Sequence, residues 1–182
     1  MAYTYLIIIG VILLWAIITF NGFIRLRNAV KKSWAGIDVQ LKRRADLIPN
    51  LVKTVKGYAK HEKTLLENIT KERTALMDSL ETKDAKAVNK ANKQLAKHVK
   101  QLFAVAENYP KLQASKNFMK LQDELSNTEN EISASRRIYN ENVTYMNDSV
   151  QVFPRNMIAK LFGFKQQELF ATSAKANVKV KF

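Results

Sequence analysis

The chain has 182 residues, no cysteine, two histidines, five glycines and three prolines, and a formal net charge of +14. A single domain's worth of chain without cysteine excludes a disulfide framework and a thiolate metal site. Scarce Gly and Pro argue against a turn-rich all-β fold and for long helices, while the charge suits an anionic membrane, an acidic protein or nucleic acid as partner.

The first element is "YTYLIIIGVILLWAIITFNGFI", Tyr3 to Ile24, with no charged side chain. At about 1.5 Å per residue it covers roughly 30 Å, the hydrocarbon thickness of a bilayer. Tyr3 and Tyr5 suit an interface, where rings with a polar tip concentrate. No basic leader precedes the run and no Ala-x-Ala site follows it, so it reads as an uncleaved span, not a signal peptide. Arg25, Arg27, Lys31 and Lys32 come directly after it. Basic flanks stay on the cytoplasmic side. The expectation is a single-pass anchor, residues 1–24, with the N-terminus outside and the remainder in the cytoplasm, which in a bacterial host places it in the inner membrane.

Beyond the anchor, Trp34, Ile37, Leu41, Ala45, Ile48, Val52, Val55, Ala59, Leu66, Ile69, Leu76 and Leu80 recur at helical, near-heptad spacing. Pro49 interrupts the stretch "RRADLIPNLV", since proline lacks a backbone donor and clashes with the preceding turn. The stripe keeps its phase across Pro49, which favours one continuous, bent helix. The alternative has Asp46 capping a new helix with Pro49 in its first turn. A break is expected near "SLETKDAK", with Asp84 as cap. The second helix presents Val88, Ala91, Leu95, Val99, Leu102 and Ala106 until Pro110 ends it. The third carries Phe118, Leu121, Leu125, Thr128, Ile132, Ser135, Tyr139, Asn142, Met146, Ser149 and Phe153. Pro154 opens a short fourth helix and Gly163 closes it. No helix can bury its stripe alone. The predicted fold is all-α: one N-terminal transmembrane helix, then an up-and-down antiparallel bundle of three long helices and one short one. The bundle covers residues 25–164, and a basic tail covers 165–182.

Chemistry-bearing patterns are sparse. His61–Glu62 lacks the second histidine of a zincin, and no glutamate has a histidine three residues on, as a di-iron bundle requires. There is no Gly-x-Ser-x-Gly and no Gly-rich phosphate loop. No catalytic, metal or cofactor residue is assigned, and a non-enzymatic protein is expected. Three surfaces remain. Lys86, Lys90, Lys93, Lys97 and Lys100 share one side of the second helix, either as a solvated face or for an anionic partner. That face has no aromatic residue, which disfavours nucleic acid. Thr128, Ser135, Asn142 and Ser149, seven apart within the stripe, are expected as satisfied core or boundary residues, with a close helix–helix contact between subunits as the alternative. Phe153, Arg155, Met157, Leu161, Phe162 and Phe164 are expected to cap the bundle, with a membrane-interface segment as the alternative.

The blocks "NAVKKSWAGIDVQLKRRADLIPNLVKTVKGYAKHE" and "RRIYNENVTYMNDSVQVFPRNMIAKLFGFKQQELF", behind the N-terminal span, resemble the LemA family of bacterial membrane proteins. The likeness covers nearly the whole chain, the Lys-rich second helix being the part no motif matches. It implies a four-helix bundle behind one anchor, with no enzymatic activity or cofactor to carry over. Members are often encoded near membrane proteases or other envelope proteins. The functional expectation is therefore a membrane-anchored scaffold that works by homo-oligomeric, coiled-coil-like assembly. An accessory subunit for a membrane protease or envelope protein is the alternative, and a basic nucleic-acid-binding module comes third.

Overall fold

A computed structural model describes residues 2–170, the side chain of Lys60 aside. The expected basic tail falls, from residue 171 onward, outside the described residues. The elements are α1 (Ala2–Lys56), a 3-10 turn (Lys60–Glu62), α2 (Lys63–Thr82), α3 (Ala85–Ala106), α4 (Pro110–Gln113), α5 (Lys116–Gln151) and α6 (Arg155–Leu161). The fold is all-α, an apolar N-terminal helix long enough to span a membrane followed by a helical bundle, with no strand among the described residues. The chain divides into two compact units. The first takes residues up to Gly36 together with Arg137–Leu169, and the second takes Ile37–Arg136 and Phe170.

The second unit is a bundle of the later part of α1, α2, α3 and the early part of α5. Its buried residues step by four and three: Ile37, Leu41, Ile48, Leu51 and Val55 on α1, Val88, Leu95, Val99 and Leu102 on α3. Ile69 and Leu76 of α2 and Leu125 and Ile132 of α5 complete the core. Each such side chain contributes roughly 1.5–3 kcal/mol on leaving water. Short connections make successive helices antiparallel neighbours. Lys83 turns left-handed (φ 55°) after α2, and Asp84 caps α3 by accepting from the backbone N–H groups of Lys86 and Ala87.

Periodicity suggested one helix from Trp34 to Leu80, but the chain breaks at Gly57–Ala59. The Tyr58 and Ala59 N–H groups both donate to the Val55 carbonyl, and Ala59 leaves helical geometry at φ −120°. Glycine weakens a helix by about 1 kcal/mol relative to alanine, so Gly57 is a natural place to stop. The stripe hid this turn because Ala59 and Leu66 are both buried. Two helices folded back on one core show the same period as one long helix.

Pro49 lies inside continuous α1, and Asp46 sits within that helix and not at the start of a new one. A prolyl nitrogen cannot donate to the carbonyl four residues back, which here belongs to Ala45. Arg73 of α2 supplies the missing donor: its Nε donates to the Ala45 carbonyl oxygen at 2.9 Å. The gap that proline opens in one helix becomes a cross-link to the next.

In the first unit, the Trp34 and Tyr139 rings meet edge-on at 5.5 Å. An extended stretch after α6 is strapped to α5. Asn147 donates from Nδ2 to the Gln167 carbonyl (2.9 Å) and accepts from the Gln167 N–H (2.8 Å), while the Tyr139 hydroxyl donates to the Glu168 carbonyl (3.2 Å). Pro154 precedes α6, and Gly163, at φ 71°, lets the Phe164 N–H return to the Ala159 carbonyl at 2.9 Å.

Candidate membrane-facing and partner-facing surfaces

The N-terminal part of α1 leaves its large side chains from Tyr3 to Ile18 uncovered, the half-buried Trp15 aside. In water such a face would be unstable, and in hydrocarbon it is the ordinary surface of a spanning helix. Thr19 is the first buried residue among those described, and Phe23 is completely buried. The covering groups are aromatic. The Phe162 ring lies 4.7 Å from Phe20, and the Phe164 ring stacks on Phe23 at 4.8 Å. The Arg155 guanidinium lies 5.6 Å from the centre of the Phe23 ring and that of Arg27 lies 5.8 Å from Phe164. Such cation–ring pairs contribute roughly 0.5–2 kcal/mol according to exposure. Of the basic flank, Arg25, Arg27, Lys31 and Lys32 are all exposed. Within the segment after α5, Phe164 is buried, Arg155 half-buried, and Phe153, Met157, Leu161 and Phe162 are exposed.

Lys86, Lys90, Lys93, Lys97 and Lys100 are exposed on α3, a helix without one acidic residue. Like charges three and four residues apart destabilise a helix by a few tenths of a kcal/mol per pair, and an anionic surface would relieve that. Thr128, Ser135, Asn142 and Ser149 lie on the side of α5 turned toward the protein interior. Thr128 and Ser149 are buried, Ser135 and Asn142 half-buried, and the Thr128 hydroxyl donates to the Leu125 carbonyl at 2.8 Å.

Sequence patterning missed a polar layer in the core of the second unit. Arg44, only 4% exposed, donates from Nη1 to Glu129 Oε2 and to Asn92 Oδ1 (3.3 Å). Arg136 is also buried, its guanidinium 5.0 Å from the centre of the Phe170 ring. Burial pushes the Arg136 pKa down, against the pull of Glu129 and with the push of Arg44. The signal was available: Arg44, Asn92 and Arg136 occupy positions that the four–three stripes of α1, α3 and α5 reserve for apolar residues. Periodicity marks such interruptions without saying that they meet. Beside this layer α3 and α5 form a cleft of about 420 Å³ that includes Arg44, Glu129 and Lys100. A larger one, about 620 Å³, lies between the end of α1 and α2. Val52, Ala59 and Leu66 line it together with Lys56, Lys63 and Lys71.

The chain has no cysteine, and no group of three His, Asp or Glu side chains among the described residues is placed to hold a metal ion. What the fold and surfaces define is a helical-bundle protein held to a membrane by one N-terminal helix. Residues 33–182 match the LemA family, and the chain belongs to it. It is 28% identical to protein LemA of Metamycoplasma hominis over 160 residues, 88% of this chain and 72% of that protein. It is 24% identical to magnetosome protein MamQ 2 of Paramagnetospirillum magneticum and 22% identical to magnetosome protein MamQ of Magnetospirillum gryphiswaldense, each over 177 residues. These alignments cover 83% of this chain but only 64% of the magnetosome proteins, so the chain spans less than two thirds of their length.

Proposed function

We propose that this protein is a non-catalytic scaffold whose bundles self-associate at the cytoplasmic face of the inner membrane, with the N-terminus outside. One observation carries the reading: Ile138 and Tyr145, one heptad apart on α5, and Val152, a further heptad on and directly after the helix, are each more than half exposed. An uncovered apolar heptad position is what a second helix packs against. Glu141 and Asp148 share that face and complement the basic surface of another copy. Anchors confined to one plane raise the local concentration of their bundles, so a modest face suffices. Mass measurement of the full-length protein in native lipid particles is expected to give a homo-oligomer, and Tyr145→Glu to dissociate it. A wild-type monomer at physiological density sinks the proposal. Orientation is checked by cysteines placed at either end, where an impermeant reagent should label only the N-terminal site in intact cells.

The second reading, an accessory subunit for a membrane protease or other envelope protein, is favoured by the 620 Å³ cleft. Its apolar Val52, Ala59 and Leu66, with Lys56 and Lys71 beside the Lys63–Glu67 pair, suit an acidic amphipathic helix of that partner. Here the particles would contain a defined second protein, lost on reversing the charge of Lys56 and Lys71.

A further inference from the structure

We infer that the segment from Phe153 to Leu169 is a second membrane contact, with α6 held in the interfacial layer of the leaflet where the span ends. The inference rests on α1 being membrane-anchored, and is independent of self-association.

Depth is the first argument. A hydrocarbon core takes up about 20 helical residues. The uncharged run Tyr3–Ile24 has 22, so every such window within it contains Phe20. The Phe162 ring, 4.7 Å from Phe20, therefore lies at the edge of the apolar layer. Phe164 touches both Phe20 and Phe23, which fixes the segment there by two rings.

Surface chemistry is the second. Phe153, Met157 and Leu161, four residues apart, are 75%, 59% and 74% exposed, and Phe162 is 54% exposed. Phe162, at the end of this stretch, lies against Phe20, two residues beyond the exposed Ile17 and Ile18 of the span. Arg155, Lys160 and Lys165 are the only charged residues between Asp148 and Glu168. A basic segment with exposed aromatic and aliphatic side chains is the pattern of a helix lying among anionic headgroups. Gly163 gives the sharp return that brings Phe164 back to the anchor.

The chain lacks native cysteine, so one environment-sensitive fluorophore can be placed at Leu161→Cys in the full-length protein. Met157→Cys serves as a second site should the first disturb folding, and Leu13→Cys reports the span. The proteins are reconstituted in vesicles of phosphatidylcholine and phosphatidylglycerol. Headgroup-level nitroxide lipids should quench the label at residue 161 and the vesicles should shield it from aqueous iodide. Quenching by iodide but not by nitroxide lipid overturns the inference. Shielding from both does so too, since another protein chain would then cover the face. If deep nitroxides fail to quench the label at residue 13, the anchored reading of α1 falls first.

Discussion

Among the described residues, 23 large hydrophobic side chains are exposed, and 20 of them belong to the first unit. In the described part of the second unit only Val39, Tyr58 and Met119 are. One chain thus treats apolar surface in two ways. The second unit hides Ile, Leu and Val from water on closely stepped helical stripes. The first gathers aromatic rings at one end of the span and leaves long aliphatic faces open. The contrast teaches that an exposed apolar residue has meaning only relative to its solvent. The second unit is built for water. The first is built for lipid and, as proposed, for another copy.

The largest expected effect is in the second unit. Ile69 is completely buried, and Ile69→Ala should cost about 2–5 kcal/mol through lost burial and a residual cavity. Denaturant unfolding of the full chain in detergent measures it. The polar layer tests the same unit from the other side. Glu129→Ala leaves the guanidinium of Arg44, whose side chain is 5% exposed, without its carboxylate and with Asn92 alone as acceptor. Breaking a buried pair costs about 3–5 kcal/mol, and the 47% exposure of Glu129 puts this one at the low end. Arg44→Met should cost less, because water can solvate the carboxylate left behind.

The Pro49–Arg73 pair sharpens how the second unit is held. Arg73→Met removes the donor to the Ala45 carbonyl and should cost about 1.5–3 kcal/mol, as for a hydrogen bond from a charged group. In a Pro49→Ala background the backbone N–H restored by that substitution can take the carbonyl, and Arg73→Met should cost far less. Pro49→Ala by itself should stabilise, by less than the ~3 kcal/mol of helix propensity, because Arg73 already satisfies the carbonyl. Equal costs of Arg73→Met in both backgrounds would show that the two residues are not linked. Smaller again is Asp84→Ala, expected at ~1 kcal/mol for a lost N-cap in the same unfolding assay.

The all-α class, the span, the Asp84 cap and the Pro154–Gly163 bounds of α6 were legible in the sequence, because each rests on local chemistry. Pro49 was legible as lying inside a helix, but its compensation was not, since Arg73 is 28 residues from Ala45 and reaches it only in the fold. The turn at Gly57 was hidden by a period that folding back preserves. Arg44, Asn92, Glu129 and Arg136 come from three helices, so pattern alone could not place them in one layer. The aromatic cover over Phe20 and Phe23 is likewise a tertiary fact.

The smallest expected effect probes the comparison most directly. Leu161 is 74% exposed, so Leu161→Ser creates no cavity and strands no polar group. Surface changes of this kind fall within about 0.5 kcal/mol. Unfolding in detergent should hardly distinguish the variant from the parent, although it removes as large an aliphatic side chain as any in the core. A loss near that of Ile69→Ala would mean that α6 is a packed part of a water-facing core, and the distinction between the units would collapse. Near-neutrality in detergent, together with weaker shielding of a fluorophore at Met157→Cys in vesicles, would assign the Leu161 side chain to lipid contact. Sequence periodicity cannot make that separation, because a residue that faces a core and one that faces a bilayer follow the same helical spacing. Only their uncovered surface in the folded chain tells them apart.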